Sequence, residues 1–413
     1  MSKKVLLIVP CASYRTWPFI EAAQQLGIEI ILVSEGPQAL TPAGLQGVRV
    51  PVGNADQALT ALQRQVDLSD IAGVIGTDDD TIELASLLGR TLGLPHNPPR
   101  AVQSSRRKDL SRAHLSQHGL PVPAHRCIDL KQNLSAQLSH VQFPCVVKPV
   151  ALSASRGVIR ANNQHELNQA VARIQQLLDG DSASTKLLIE EFIPGREVAV
   201  EAVLYDGRLR MLALFDKPDP LDGPYFEETY YITPSRLPAD VQTAIQQCIQ
   251  QACKAFGLRE GPVHAECRVN EKGVWILEVA ARTIGGLCGR LFQFGTGFSL
   301  ESLVLQHAIG AGVHPRTSDE GAGVLMIPIE EAGILRRVEG IQAARRIPYI
   351  EDVVINLREG YELAPLPEGS SYLGFIFSRA PSAEQAEQAL RQAHGKLNIV
   401  VAPLWKGMLN QAV

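Results

Sequence analysis

The sequence predicts a mixed fold, with an α/β domain built on a parallel sheet at the N-terminus and an α+β region with antiparallel sheets after it. The first prediction rests on an apolar run at residues 5–9, an amphipathic stretch at 17–26 and a second apolar run at 28–33. That order is typical of strand, helix, strand. The second rests on strand-like runs at 263–269 and 274–279 that a short turn joins, as in a hairpin. With 413 residues, the chain is too long for one hydrophobic core.

The N-terminal domain is predicted to span residues 1–100. A further buried strand at 71–76 leads into one Thr and three Asp at 77–80, which suit the start of a helix. We expect these aspartates to stabilise the helix dipole and to stay solvated, with a metal cluster as the alternative. The turn after the first strand contains no glycine, which disfavours a dinucleotide-binding loop. The proline-dense stretch 94–99 marks the boundary.

Residues 101–319 are predicted to form the α+β core. It opens with a helix that carries Arg106, Arg107 and Lys108 and runs to about residue 119. Further elements are predicted as strands at 143–149, 158–160, 187–193 and 197–205 and a helix at 239–256. The stretch 320–413 mixes short strands with a helix at 383–395, and we interpret it as a C-terminal lid domain.

Composition and charge exclude several classes of protein. Apolar residues make up 45% of the chain and charged residues 20%, as in ordinary globular proteins. The 39 basic and 43 acidic residues give a net charge of −4, so we expect no nucleic-acid partner and no membrane partner. The apolar run near the start is too short for a bilayer span and is not preceded by a signal-peptide pattern, so a cytoplasmic location is expected.

The cysteines are expected to be reduced thiols. There are seven, an odd number, and no two have the C-x-x-C spacing of zinc or redox sites. Nothing beside any of them suggests the lowered pKa that thiolate catalysis needs, so a catalytic cysteine is the weaker alternative.

Lys148 and the short loop after it are candidates for binding an anion. Lys148 lies within an otherwise apolar strand, where an unpaired ammonium is costly. It is expected to meet an anionic ligand, with a salt bridge to an internal carboxylate as the alternative. The loop contains Ser153, Ser155 and Gly157, small residues whose backbone amides can wrap phosphate oxygens, although an exposed hairpin tip has a similar composition.

Glu266 and Glu278 are candidates for holding a divalent cation. They lie on adjacent strands joined by a tight turn, each among apolar residues, and two inward carboxylates would repel without a cation between them. Magnesium prefers one or two carboxylates together with phosphate oxygens. The alternative is a pair of solvated carboxylates.

Two further side chains near these acids are candidate catalytic groups. Arg282 follows Glu278 by four residues and precedes two glycines, where its planar guanidinium can clamp a carboxylate; a surface arginine is the alternative. His264 shares a strand face with Glu266, and either a catalytic role or a core histidine bonded to backbone fits this position.

Taken in order, these motifs resemble the ATP-grasp superfamily over roughly residues 1–405, and within it the carboxylate–amine ligases of the L-amino-acid ligase type. The supporting segments are 107–108, 143–149, 153–157, 190–197, 264–266 and 277–282. The segment 216–236 is similar to the substrate-side strand of these ligases. The resemblance implies an ATP-grasp fold with the N-terminal parallel-sheet domain before it and the lid after it.

The resemblance also implies a role for each candidate residue. Lys108 and Lys148 would contact ATP phosphates, and the loop with Ser153, Ser155 and Gly157 would close over them. The adenine edge would be lined by Glu190, Glu191 and Ile193, and Glu197 would hold the ribose hydroxyls. Glu266 and Glu278 match the metal-binding acids for magnesium, with manganese as an alternative. Arg282 matches an arginine near the carboxyl substrate, and His264 is a candidate base.

The implied reaction joins a small carboxylate and an amine, with amino acids as the expected pair, through an acyl phosphate and with release of ADP and phosphate. Other acceptors, namely bicarbonate or a purine precursor, and a non-catalytic ATP-binding module are the alternatives. Many members have Asn where this chain has Ala280, which leaves the number of metal ions open. The sequence leaves both a monomer and a homodimer open.

Overall fold

The computed structural model describes residues 3–11, 13–36, 44–150, 152–178, 185–292, 299–312 and 320–404. Its strands are β1 (Lys4–Ile8), β2 (Glu29–Ser34), β3 (Gln46–Arg49), β4 (Ile71–Gly76), β5 (His125–Asp129), β6 (Cys145–Pro149), β7 (Ile159–Ala161), β8 (Lys186–Glu191), β9 (Arg196–Tyr205), β10 (Arg208–Asp216), β11 (Tyr230–Thr233), β12 (Gly261–Asn270), β13 (Gly273–Ala280), β14 (Gly321–Ile327), β15 (Gly333–Glu339), β16 (Ile350–Ile355), β17 (Glu362–Leu363), β18 (Gly374–Ala380) and β19 (Asn398–Ala402).

The helices are α1 (Thr16–Leu26), α2 (Ala55–Gln63), α3 (Ile82–Thr91), α4 (Pro99–Arg106), α5 (Lys108–Gln117), α6 (Leu134–Leu138), α7 (Gln164–Leu178), α8 (Ala239–Phe256), α9 (Leu300–Ala308), α10 (Ile341–Arg345) and α11 (Ala383–His394). The chain divides into two compact units. Unit 1 contains Met1–Ala124, Ile193–Asp216 and Thr233–Asp319, and unit 2 contains His125–Phe192, Lys217–Ile232 and Glu320–Val413. The division into domains at residues 100 and 319 stays a prediction.

Unit 1 contains the parallel sheet that the sequence predicts at the N-terminus. Its strand order is β3-β2-β1-β4, and the paired strands run parallel. Along β1, Val5 and Leu7 pack in one core cluster, whereas Leu6 and Ile8 pack in another. Successive side chains of a strand point to opposite faces, so both faces of this sheet are covered. That explains why residues 5–8 of β1 are all apolar and do not alternate with polar residues.

Unit 1 also contains four antiparallel strands in the order β13-β12-β9-β10. The β9–β10 hairpin turns at Asp206 and Gly207, whose φ values of 46° and 79° are the left-handed conformation that such tight turns require. Helix α8 packs on these strands through apolar residues at helical spacing, and it ends at Gly257, which is also left-handed. The predicted hairpin of the strands at 263–269 and 274–279 is β12–β13, and this hairpin and the predicted helix at 239–256 are confirmed.

The single helix predicted from about residue 101 to residue 119 is wrong, because the structure has two helices there. Arg107 is extended, with ψ of 115°, and it separates α4 from α5. Its carbonyl accepts a hydrogen bond from the amide of Ser111, so Arg107 caps the second helix. The break places Lys108 in the first turn of α5. The residues before and after Arg107 both have a helical pattern, so the sequence pattern alone does not reveal the break between the two helices.

Unit 2 is α+β with antiparallel strands. One sheet has the order β5-β8-β6-β7 and packs against α7, the strands β11-β14-β18-β16 pack against α11, and a small sheet has the order β17-β15-β19. The strands predicted at 143–149 and 158–160 correspond to β6 and β7, which pair antiparallel on either side of the loop 153–157. Within the described part of the chain, no helix combines the length and apolar character that crossing a bilayer needs.

The seven cysteines are all free thiols, and they differ in access to water. Cys11 and Cys127 are exposed, and the other five are buried. Burial raises the pKa of Cys145 and of Cys248 to about 11 and that of Cys253 to about 12. A thiol must be both accessible and deprotonated to react, so the five buried cysteines are expected to be unreactive.

Titration of the native protein with a thiol-specific disulfide reagent at pH 8 should therefore show two fast equivalents, from Cys11 and Cys127, and seven after denaturation. The buried thiols should react more slowly by a factor on the order of 100 or more, because they must wait for local opening. Substitution C11S should remove one fast equivalent. A native count above two fast equivalents would contradict the burial of the remaining five.

Candidate active site

The predicted metal acids and the predicted catalytic histidine lie on one face of the antiparallel strands of unit 1. On β12, His264 is opposite Glu201 of β9, Glu266 is opposite Ala199, and Arg268 is opposite Glu197. Directly opposed residues project from the same face of a sheet. The intervening residues of β12 and β9 face a fully buried apolar core on the other side. One face of these strands is therefore polar and the other apolar.

Glu266 and Glu278 are directly opposed across β12 and β13. Both side chains are partly accessible, so their oxygens can be reached by a ligand. Two adjacent carboxylates with access to solvent are donors that magnesium and manganese accept, so these residues fit the predicted metal. Ala280 is opposite His264 and offers a methyl group where many relatives of this type are expected to have an amide oxygen.

His264 is held between two carboxylates. Its Nδ1 lies 2.6 Å from Oε1 of the fully buried Glu201, and its Nε2 lies 3.7 Å from Oε1 of Glu266. Burial by itself would lower the pKa of His264, but the contacts with Glu201 and Glu266 outweigh it and raise that pKa to about 9. Negative charge therefore flanks both ring nitrogens and favours the protonated imidazole, which suits stabilising negative charge better than accepting a proton.

Glu201 was not among the sequence candidates, although the sequence carries a signal for it. It is an acid within the otherwise apolar stretch 198–204 of β9, and the same argument singled out Glu266 and Glu278. A buried carboxylate requires a cationic or hydrogen-bonding partner. The missing information was the identity of that partner, His264, which is 63 residues away in the chain.

Arg282 lies between Glu278 and an acid from the N-terminal sheet. Its Nε donates to Oδ1 of Asp79 at 2.8 Å, and its Nη2 lies 3.6 Å from Oε1 of Glu278. Burial tends to raise the pKa of Asp79, but the charges of Arg282 and, more weakly, of Lys108 lower it below its ordinary value. Lys108, Arg282 and Glu278 are thus grouped around Asp79 within unit 1.

The expectation that the three aspartates after β4 stay solvated is wrong for Asp78 and Asp79, which are partly buried and paired, but it holds for Asp80, whose side chain is 77% exposed. Asp78 lies 3.4 Å from Nε of Arg15, Asp79 pairs with Arg282, and Asp80 pairs with Arg106. Each arginine comes from a different part of the chain. The sequence pattern at a helix start is the same whether such acids are solvated or paired, so it could not distinguish these cases.

Unit 2 holds the predicted lysine of the central strand. Lys148 on β6 forms an ion pair with Glu190 on the neighbouring strand β8, both largely buried. This internal salt bridge is the alternative considered for Lys148 from the sequence. An ammonium has three N–H donors, so the ion pair with Glu190 does not prevent Lys148 from also contacting a phosphate. That contact stays a prediction.

The predicted phosphate loop is a tight turn tied to a distant segment of unit 2. Ala154, Ser155 and Gly157 all have positive φ. The amide of Arg156 donates to Ser153, that of Gly157 to Pro367 and that of Val158 to Ser155. These three amides already have carbonyl partners, so the predicted phosphate contacts rest on the hydroxyl groups and the remaining amides of the loop.

The other predicted nucleotide residues occupy both units. Glu191 is exposed at the end of β8 in unit 2. In unit 1, Arg268 donates to the carbonyl of Ile193 at 2.8 Å and pairs with Oε2 of Glu197 at 2.9 Å. Unit 1 thus carries Lys108, Ile193, Glu197, His264, Glu266, Glu278 and Arg282, and unit 2 carries Lys148, Ser153, Ser155, Gly157, Glu190 and Glu191.

Comparison with protein families gives three matches along the chain. Residues 20–96 match the ATP-grasp N-terminal domain, residues 141–290 the ATP-grasp domain, and residues 325–402 the L-amino acid ligase C-terminal domain 2. The central match includes Lys148, Glu266, Glu278 and Arg282.

Solved structures and curated relatives agree with this. The chain is similar to an L-amino acid ligase from Bacillus licheniformis, with a TM-score of 0.81, 25% identity and coverage of 97% of this chain and 100% of that one. A D-alanine–D-alanine ligase of Gloeobacter violaceus is 30% identical over 270 residues, which are 62% of this chain and 80% of that ligase.

Carnosine synthase 1 of Gallus gallus is 27% identical over 354 residues, 78% of this chain. The match spans only 38% of that longer synthase. Together with the family matches, these likenesses show that the chain is a ligase of the ATP-grasp superfamily, of the carboxylate–amine kind to which the L-amino acid ligases belong.

Proposed function

We propose that the protein joins the carboxylate of one amino acid to the amine of another, forming a peptide-type amide bond through an acyl phosphate with release of ADP and phosphate. The observation that carries the proposal is the opposed pair Glu266 and Glu278, with Arg282 within 3.6 Å of one acid and His264 within 3.7 Å of the other. A basic side chain thus flanks each of the two acids, and a reaction among anions requires such positive charge. The names of the amino-acid and D-alanine ligases it resembles support amino acids as substrates.

Glu266 and Glu278 would hold magnesium, or manganese in its place. When bound, the cation would supply positive charge that offsets the phosphate oxygens of ATP. Lys108 lies in the first turn of α5, where the positive end of the helix dipole adds to its own charge. Both features favour a triphosphate over a neutral ligand. Lys148 is proposed as a second phosphate contact from the family resemblance.

The reaction consists of two substitutions. A carboxylate oxygen bonds to the γ-phosphorus of ATP as the bond from that phosphorus to the leaving ADP oxygen breaks, which gives the acyl phosphate. The amine nitrogen then attacks the carbonyl carbon, the carbon–oxygen bond to phosphate breaks, and the nitrogen loses a proton. Arg282 would stabilise the oxyanion of the second step with a guanidinium that Asp79 holds in place.

His264 would act as a cation in this scheme. Glu201 and Glu266 lie on either side of the ring and favour its protonated form, and Glu201 fixes the ring through Nδ1. The Nε2 proton then points toward Glu266, where it can offset negative charge. This role differs from that of the base suggested from the sequence.

Oxygen transfer tests the acyl phosphate directly. With an amino acid whose carboxylate carries ¹⁸O, the proposal requires that one labelled oxygen appear in the phosphate released and that ADP form in equal amount. A screen of paired amino acids with mass detection of phosphate and of condensed product would measure both. Production of AMP, unlabelled phosphate, or stimulation by bicarbonate or ribonucleotides alone would contradict the proposal.

Replacing one of the two proposed metal-binding glutamates tests the metal site. Substitution E278Q should lower ADP formation by a factor on the order of 10²–10⁴, because several kcal/mol of charge stabilisation depend on the cation. The amide is isosteric, so the circular dichroism spectrum and the thermal midpoint should stay close to those of the wild type.

The matched control is E271Q, an exposed glutamate in the turn between the same two strands, which should keep full activity. Unchanged turnover in E278Q would refute the metal assignment, and equal loss in E271Q would show that the effect is not specific to the site.

A further inference from the structure

Strand β13 contains one extra residue beside the metal acid. Glu266 of β12 is opposite Glu278, and the next residue of β12, Cys267, is opposite Ile276. Leu277 is therefore inserted between two consecutive pairs of the ladder. Such an insertion is a β-bulge, which bends the strand and redirects the side chains beyond it.

The bulge decides the direction of Glu278. Ile276 and Val279 both belong to the buried core of unit 1, although they are three residues apart. In a regular strand, residues two apart share a face, so Glu278 would point into the core with Ile276. With Leu277 as the extra residue, Glu278 instead shares the polar face with Glu266.

A buried arginine holds this bulge. Arg112 lies on α5 and is 2% exposed. Its Nη1 donates to the carbonyl of Ile276 at 3.0 Å, and its Nη2 donates to the carbonyl of Leu277 at 2.7 Å. One planar guanidinium therefore fixes two successive carbonyls at the inserted residue. Strand β13 is the edge strand of its sheet, so backbone groups that point away from β12 need partners from outside the sheet, and Arg112 supplies donors for two of them.

The backbone that follows α5 adds a third bond. The amide of Ile276 donates to the carbonyl of Pro121 at 2.9 Å. Both polar backbone groups of Ile276 are thus bonded to α5 or to the segment just after it. The same helix begins with Lys108, one turn before Arg112, so the predicted phosphate lysine and the bulge are attached to one rigid element.

We propose that Arg112 is a positioning residue for the metal site: by clamping the Leu277 bulge from α5, it sets the carboxylate of Glu278 beside that of Glu266. The inference rests on the proposed function, since it requires that Glu278 bind the cation. Arg112 itself contacts neither the metal nor the substrate in this proposal. Replacing Arg112 should therefore weaken nucleotide binding in the presence of magnesium and leave nucleotide binding without magnesium nearly unchanged.

The test measures how strongly magnesium tightens nucleotide binding to the full chain. Calorimetric titration with the non-hydrolysable ATP analogue AMP-PNP gives one dissociation constant in EDTA and one in magnesium. We call the first divided by the second the magnesium enhancement. The variant R112K keeps the charge but cannot bridge two carbonyls with one planar fork. We expect it to lower the magnesium enhancement at least tenfold while changing the dissociation constant in EDTA less than twofold.

The matched control is L115A, which removes a buried side chain from the same helix and leaves the guanidinium of Arg112 in place. It should lower the thermal midpoint and keep the magnesium enhancement of the wild type. R112Q, which retains one donor group, provides a second variant should R112K not fold, and it should behave like R112K. A wild-type magnesium enhancement in either folded Arg112 variant would overturn the inference.

E278Q separates failure of this inference from failure of the proposed function. It should abolish the magnesium enhancement. If E278Q keeps the enhancement, the metal assignment is wrong and the inference is overturned with it. If the wild type does not bind AMP-PNP at all, the proposed function fails. If E278Q loses the enhancement and R112K keeps it, the metal site stands and the role of Arg112 alone is refuted.

Discussion

The structure of the candidate site depends on the cost of placing charge on a half-buried sheet face. An ion removed from water is tolerated only where opposite charge or hydrogen bonds replace its hydration. On the polar face of β9 and β12, Arg268 is bonded to Glu197 and His264 to Glu201. These pairs flank Glu266, which faces a like charge on β13. The arrangement concentrates negative charge where a divalent cation is favourable.

The same strands must also build a core. Their other face is fully apolar and packs against α8 and neighbouring helices, so a shift of register by one residue would exchange the two faces. The bulge at Leu277 reconciles both demands, because it leaves Ile276 and Val279 in the core and turns Glu278 toward Glu266. Arg112 donates to the two carbonyls at this bulge. Core packing and site geometry are therefore set by the same few backbone bonds.

In unit 2, buried and partly buried charges are also neutralised by ion pairs. Lys148 and Glu190 neutralise each other on adjacent strands, and Arg173 binds both oxygens of Glu368. Arg156, in the loop after β6, donates to the carbonyl of Glu368. The hydrogen bond from Arg156 thus attaches this loop to the segment around residue 368, so the loop is not a free hairpin tip. Its conformation depends on residues that lie more than 200 positions later in the chain.

Local pattern determined much of this protein. Apolar runs, turn residues and helical spacing are properties of neighbouring residues, so β1, α8, the β12–β13 hairpin and the adjacency of Glu266 and Glu278 could be predicted from the sequence. Family resemblance then indicated the ligase chemistry. Tertiary structure decided the partners: Asp79 with Arg282, Glu201 with His264, and the break at Arg107. These depend on contacts between residues far apart in the chain, and an acid or a helix start looks the same in sequence whichever partner the fold brings to it.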